Sequence, residues 1–375
     1  MNISIASSKD TNQIKEIWKY CFKDPVNYVD FYFNNVFNPE NTIVAKINEN
    51  VIASMQLNPY TLNFKGDILD TVYIVGVSTT PQYRGHGVMS KMFDFAFEYL
   101  YKKGLPLAIL TAEQPSLYQN FGFRHISSLK KYILPIENII KYKTKLDIAI
   151  AKSSDYVNIS KVYNSYLSDS NLYLVRDYKH IEKLHLEVTV EGGNLYVIRD
   201  NTKVVGYFIA LLTEKSLFVR EAIFLTKEAI ERFLTYAYYH KGQIERLIVI
   251  TSDKENLEAK VQWDITCKIE LAPYMLARII NSTSFVKSSE LKKPNDSFKV
   301  VDKFLNENNG IFSINNNTLI KANNYNHQTD IGTFTQFLLG SIDGKYALFD
   351  NLVKTNDPKS IAMYKKDELF INEYI

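Results

Sequence analysis

Apolar residues alternate with polar ones at Ile3 and Ile5, and beyond Ser7, Ser8 and Asp10 they recur at Ile14, Ile17 and Trp18 with helical spacing. The pattern predicts a short strand, a polar helix start and an amphipathic helix. The same succession returns further along, without a gap. Ile148, Ile150 and Ala151 stand where Ile3, Ile5 and Ala6 stood, Asp155 matches Asp10, and Ile159, Val162 and Tyr163 match Ile14, Ile17 and Trp18. An echo of this kind implies two related units in tandem. Each unit continues into a predicted hairpin: "NTIVAKINENVIASMQLNPY" turns at Asn48-Glu49-Asn50, and "NLYVIRDNTKVVGYFIALLT" turns at Asp200-Asn201.

The units then diverge. In the first, the apolar strand "TVYIVGVSTT" leads into "PQYRGHG" and a helix whose Met92, Phe93, Ala96, Phe97 and Leu100 form one stripe ending at Gly104. The strand "PLAILTA" and the segment "SLYQNFGFRHIS" follow. In the second, "SLFVREAIFL" runs into "TKEAIERFLTYAYYHKGQIERLIVIT", again strand, helix and strand, with no glycine loop between the first two. A polar stretch from Asn281 to Asp296 reads as a linker. Beyond it, "SFKVVDKFLNENNGIFSINNNTLIKA" reads as a helix or strand and then a hairpin, and "DIGTFTQFLLG" as a short helix opened by Asp330 and closed by Gly340. The expected organisation is a mixed α+β fold in three parts, 1–135, 136–284 and 285–375.

Bulk composition narrows the partners. The 375 residues are 46% hydrophobic and 23% charged, ordinary globular usage, and more than one core usually organises. Lys+Arg 44 against Asp+Glu 41 leaves +3, with no dense basic block of the sort a phosphate-backbone binder carries, so nucleic acid is not an expected partner. Cys21 and Cys267 match neither a disulfide framework nor a metal-ligand spacing, and no metal is expected. The N-terminus lacks a signal-peptide pattern and no apolar run approaches the ~20 residues of a membrane helix, so the expectation is a cytoplasmic protein without a membrane span.

The loop Gln82-x-x-Gly85-x-Gly87 joins a strand to a helix and so presents the first free amides of that helix, with its positive dipole end, around a concave turn suited to a pyrophosphate. It lacks the third glycine of the dinucleotide fingerprint and the Lys-Ser/Thr pair of a P-loop. The preceding strand holds Val75-Gly76-Val77, where Gly76 either admits a ligand chain to the backbone edge or marks a bulge. Downstream comes Tyr118-Gln119-Asn120-Phe121-Gly122-Phe123.

V-G-V-S, then Q-x-x-G-x-G at a strand-to-helix turn, then Y-x-x-x-G-F resembles the GNAT acetyltransferases over most of residues 1 to 135. That resemblance implies acetyl-CoA as acetyl donor. Its pantetheine arm would pair along Val75, Gly76 and Val77, and its pyrophosphate would rest on Gly85, His86, Gly87, Val88, Met89 and Ser90, while Glu113 and Gln114 would contact the cofactor after the strand whose end borders the thioester. The whole-chain plan resembles the enhanced intracellular survival (Eis-like) family of N-acetyltransferases. This implies tandem GNAT-like lobes of which only the first binds cofactor, a C-terminal domain like a sterol carrier protein, and a homo-oligomer, a hexamer in that family. His86 and Gly85 stand where members of the family often carry arginines.

Acetyl transfer to an amine needs a proton for the departing thiolate, donors for the oxyanion and a base. The Tyr118 phenol suits the first task and the Val77 amide the second. The resemblance assigns the base to the free carboxylate of the last residue, Ile375, and the apolar close of "KKDELFINEYI" fits an end that docks. Glu113 is the alternative base. His86 reads as solvated and His125 as structural, while Asp30, Phe31 and Phe33 on an aromatic helix are candidate acceptor-site walls. The expected acceptor is a small-molecule or peptide amine of the aminoglycoside, polyamine or lysine type. The competing readings are a tandem-lobe aminoacyltransferase using aminoacyl-tRNA and a non-catalytic CoA- or lipid-binding module.

Overall fold

A computed structural model describes residues 1–253, 255–261, 267–287, 296–315, 318–367 and 369–373. The chain divides into two compact units, one of residues 1–127, 171–174 and 274–375, the other of 128–170 and 175–273.

The first unit begins with β1 (Asn2–Ile5), the helices α1 (Thr11–Phe22) and α2 (Val26–Asn35), and the antiparallel strands β2 (Thr42–Ile47), β3 (Asn50–Phe64) and β4 (Asp67–Thr79). Then come α3 (Val88–Lys102), β5 (Leu107–Leu110), α4 (Pro115–Gln119) and β6 (Arg124–His125). α1 buries Ile14, Ile17 and Trp18, the positions its periodicity marked, and α3 buries its stripe from Met92 to Leu100. The hairpin turn at Asn48 and Glu49 runs through two left-handed residues, φ 47° and 66°.

The second unit contains β7 (Ser128–Pro135), β8 (Asp147–Ile150), β10 (Asn194–Asp200), β11 (Lys203–Leu212), β12 (Ser216–Phe224), β13 (Arg246–Ser252) and β14 (Lys268–Pro273). β9 (Leu172–Leu174) and β15 (Leu276–Ile279) belong to the first unit. The sheet orders are β1-β2-β3-β4-β5-β15-β6, with β9 on β3, and β14-β7-β13-β12-β11-β10-β8. β7, which follows the first repeat in sequence, is therefore a strand of the second sheet, and β15, which follows the second repeat, lies between β5 and β6 of the first. Each sheet is completed from beyond its own repeat, the first by β9 and β15 and the second by β7. The expected boundaries at 135 and 284 are displaced accordingly, to 127 and 273.

The sequence echo has a physical basis. Ser7 N–H donates to Asp10 Oδ2 at 2.8 Å and Lys46 of β2 pairs with Asp10 at 2.7 Å. In the second unit Lys152 N–H donates to Asp155 Oδ2 at 2.8 Å and Arg199 of β10 pairs with it at 2.7 Å. One buried carboxylate in each repeat caps the entry to the first helix and ties it to the hairpin. Burial pushes the Asp10 carboxyl up, but hydrogen bonds from Lys46 and Ser7 outweigh that and hold it below its ordinary value.

Residues 274–375 share a core with residues 1–127 rather than forming a unit of their own. A five-stranded sheet runs Thr318–Lys321, Gly310–Asn315, Asp296–Val301, His327–Asp330, Lys354–Thr355. The helix Ile331–Leu339 opens with Asp330 accepting from Thr333 N–H at 2.7 Å and closes at Gly340, φ 74°. Within the expected linker, Ser282–Lys287 is helical with Phe285 and Val286 buried, and residues 288–295 lie outside the described part.

At the centre of that sheet His327 Nε2 meets Asp296 Oδ2 at 2.7 Å, Ser360 Oγ donates to the same oxygen at 2.5 Å, and Thr355 Oγ1 lies 2.7 Å from His327 Nδ1. Burial raises the Asp296 carboxyl, yet the His327 and Ser360 hydrogen bonds prevail and hold it below 3.8. A depressed native value contributes stability in full above the unfolded carboxylate value and loses it as pH falls through the native one. Asp296→Asn is expected to lower the melting temperature at pH 7 and to flatten its decline between about pH 5 and pH 3, read by thermal melts across that window.

Candidate active site

β4 and β5 pair in parallel only from Thr71–Leu107 to Tyr73–Ile109. Beyond Tyr73, β4 runs on to Thr79 with its β5-facing edge open, while β5 stays bound to β15 on its other side. The sheet therefore parts along one seam. Next to it β4 carries a bulge: Ser54 pairs with Ser78 and Gln56 with Val75, so Gly76 and Val77 both oppose Met55. Gly76 is left-handed at φ 58°, and a Cβ there would collide with Gln56 Oε1 and the Trp18 ring. Of the two roles open to Gly76, the bulge is realised, and glycine is required because a side-chain amide and an indole crowd it.

The glycine loop follows. Arg84 Nε donates to Thr79 O at 2.9 Å, and Gly85 and Gly87 are left-handed at φ 78° and 73°. Added Cβ atoms at either glycine would meet nothing within 4 Å, so the loop borders open space and its glycines serve backbone conformation. Gly87 caps α3 without a side chain, and among the described residues no backbone carbonyl takes the amides of Gly85 through Ser90. These amides, with the dipole of a 15-residue helix, form an anion cradle. His86 is exposed, with Nδ1 2.9 Å from Arg84 O. Arg84, unremarked in the sequence, is an exposed guanidinium tethered at the cradle's rim.

Tyr118 lies on α4 with its ring edge-on to Phe93 at 6.0 Å and to Phe123 at 6.4 Å. Burial pushes its phenol up, and its hydroxyl has no partner among the described residues. The turn behind it is held firmly. Tyr118 O accepts from Phe121 and Phe123 amides at 3.0 and 3.2 Å, Gly122 is left-handed at φ 82°, and Arg278 of β15 donates to Phe121 O. Arg278 Nη2 donates to both Asp302 oxygens at 2.8 and 2.6 Å, and the guanidinium lies 3.9 Å over the Phe97 ring and is fully buried with its partner. A Cβ on Gly122 would strike Ile331 and Arg278, which explains the glycine of the motif.

The segment ending at Glu373 docks where β4 and β5 part. Tyr60 OH donates to Glu373 Oε1 at 2.8 Å, Tyr274 OH to Glu373 O at 2.6 Å and Tyr73 OH to the same carbonyl at 3.4 Å. Tyr73 OH is also 2.7 Å from Thr111 Oγ1 just past β5. Asn372 and Glu373 are 1% exposed. Ile375, the expected base, lies outside the described residues, as does Tyr374.

The remaining candidates are less central. Glu113 and Gln114 are exposed between β5 and α4. His125 is half-buried, burial pushes its imidazole down, and its carbonyl accepts from Gln336 Nε2 at 2.8 Å, as a structural residue would. Asp30 points to solvent in an ion pair with Lys15 at 2.7 Å, and Phe31 and Phe33 are buried, Phe33 edge-on to Trp18 at 5.8 Å.

In the second unit the corresponding junction carries charged residues. β12 and β13 pair up to Val219–Val249, and the bulge that follows holds Arg220. Arg220 is bound to Glu187 and Glu191 at 3.0 Å each, and Glu221 to Arg176 and to Tyr207 OH at 2.7 Å each. Thr226 Oγ1 caps the helix Lys227–Tyr238 by accepting from Ala229 N–H at 3.2 Å. Where the first lobe has a glycine bulge and an uncapped helix start, the second has ion-paired residues and a side-chain cap.

Residues 2–126 match the family described as an acetyltransferase (GNAT) domain. No curated protein matches the sequence. Among solved structures, a probable N-acyltransferase from Enterococcus faecalis superposes with TM-score 0.88 at 18% identity over 100% of this chain and 99% of that one. A GCN5-related N-acetyltransferase from Anabaena variabilis gives 0.86 at 18% over 100% of both chains, and Eis1 from Mycobacterium abscessus 0.79 at 12% over 100% of both. The fold is that of tandem GNAT-like lobes, and the matched domain makes the chain an acyltransferase whose donor is an acyl-CoA. Among the described residues no helix is long and apolar enough to cross a membrane, and no three His, Cys, Asp or Glu side chains are grouped to hold a metal.

Proposed function

We propose that the first lobe transfers acetyl from acetyl-CoA to a primary amine of the aminoglycoside, polyamine or lysine type, by direct attack. The observation that carries the reading is the docking of the C-terminal segment, through Glu373, at the seam where β4 leaves β5. The pyrophosphate would lie on the amides of Gly85 to Ser90, beside Arg84. The amine nitrogen attacks the thioester carbon, and the developing oxyanion takes the Val77 amide. As the C–S bond breaks, Tyr118 gives its phenolic proton to the thiolate, and the Ile375 carboxylate takes the proton that the amine loses. Products are the amide and CoA thiol, and solvent restores the phenol and the carboxylate. An α-carboxylate has an ordinary value of about 3.5, so it would have to be desolvated to act as a useful base.

The test is a titration with acetyl-CoA followed by thiol release over a panel of spermidine, kanamycin and a lysine peptide. Saturable binding with turnover of at least one amine is expected. Two residues appended after Ile375 should lower kcat by about 100-fold with acetyl-CoA affinity unchanged, while Glu113→Gln should have little effect. Equal turnover by the extended chain would move the base elsewhere.

A further inference from the structure

Gln56 sits on β3 opposite Val75, beside the bulge. It is 1% exposed, and among the described residues neither its Oε1 nor its Nε2 has a hydrogen-bond partner. Its oxygen and the Trp18 ring share the space above Gly76. The next polar residue on this face, Asn58, is satisfied, donating to Tyr32 OH at 3.2 Å. A buried amide with both ends unpaired costs roughly 1–3 kcal/mol for each unmet group, whereas an apolar residue of the same shape would cost nothing there. Packing therefore gives no reason for glutamine. The one place on the β3–β4 face that carries this cost adjoins the bulge where the thioester is expected.

We propose that the Gln56 carboxamide is a binding group for the acceptor: Oε1 accepts an N–H of the attacking amine, and Nε2–H donates to an oxygen of the acceptor near that amine. The first bond points the nitrogen lone pair at the thioester carbon beside Val77. The second selects amines with a neighbouring hydroxyl or carbonyl over bare alkylamines. The Trp18 ring, held by its Nε1–H to Asp24 at 2.8 Å, shares the space above Gly76 with the amide and would have to move for the acceptor to reach it. The inference rests on the amine-transfer reading above and adds a residue and a selectivity to it.

Gln56→Met keeps the shape and removes both polar ends. The expected result has three parts: a melting temperature of the free protein equal to or above wild type, an unchanged KM for acetyl-CoA, and kcat/KM for the amine lowered about tenfold or more. Among simple probes, the loss should be larger for ethanolamine or glycinamide than for n-propylamine. Gln56→Glu, which keeps the accepting oxygen, should recover part of the loss for n-propylamine. Full activity of Gln56→Met on every amine the wild type uses, or a marked drop in its melting temperature, overturns the inference and leaves the amine-transfer reading standing. A wild-type protein that binds acetyl-CoA but transfers to no amine overturns that reading and this inference with it.

Discussion

Tyr118→Phe is expected to lower kcat by roughly 100-fold while leaving the melting temperature and acetyl-CoA affinity nearly unchanged, because general-acid catalysis contributes about 10²–10⁴ and none of the described residues bonds this hydroxyl. The ring packs edge-on to Phe93 and Phe123, which phenylalanine reproduces, and the hydroxyl has no partner among the described residues. Only the proton is lost. Burial raises the phenol above its ordinary value of 10.0, so the group stays protonated across the neutral range and surrenders its proton only as pH rises through the raised value. The wild-type kcat profile should therefore show no fall from Tyr118 near neutrality, and any fall at high pH from this group should vanish in the variant. A thiol-release assay across pH, with parallel melts, decides it. If Tyr118→Phe retains full kcat, the acid is another group.

The parts of this site that could be read from the sequence are those whose chemistry is local. The loop from Gln82 to Gly87 is contiguous, and its two left-handed glycines with free amides at a helix start follow from backbone requirements alone. Asp10 and Asp155 were legible for the same reason, since each caps the turn it sits in. What was hidden depends on register and on contacts distant in sequence. Gln56 looks like any alternating polar residue of a strand until the pairing with Val75 places it against Gly76. The exchange of β7 and β15 displaced the expected boundaries, because a four-residue strand such as Leu276–Ile279 carries no sign of which sheet it will join. One signal did stand in the open: a guanidinium inside the apolar run "MLARII" must be paired or functional.

That guanidinium carries the largest expected effect on stability. Asp302→Asn should destabilise the protein by about 3–5 kcal/mol, because it leaves Arg278 charged, fully buried and without its counter-ion. Asp302 also accepts from Asn308 Nδ2 at 3.0 Å and from the Phe304 amide at 3.0 Å, so its loss loosens the segment that packs Phe304 onto Phe97 and Phe121. The double variant Arg278→Met with Asp302→Leu removes both charges, and much of the stability should return, since a buried pair often does no better than apolar residues of like volume. Activity should not return with it. Arg278 donates to Phe121 O, a carbonyl of the turn that follows Tyr118, and methionine cannot make that bond. Denaturant melts and kcat measured together should separate the two roles: stability partly recovered and kcat still low, with acetyl-CoA affinity intact because the cradle from Gly85 to Ser90 is untouched. Recovery of both would mean that the ion pair only holds the core, and that the Tyr118 turn keeps its shape by backbone bonds alone.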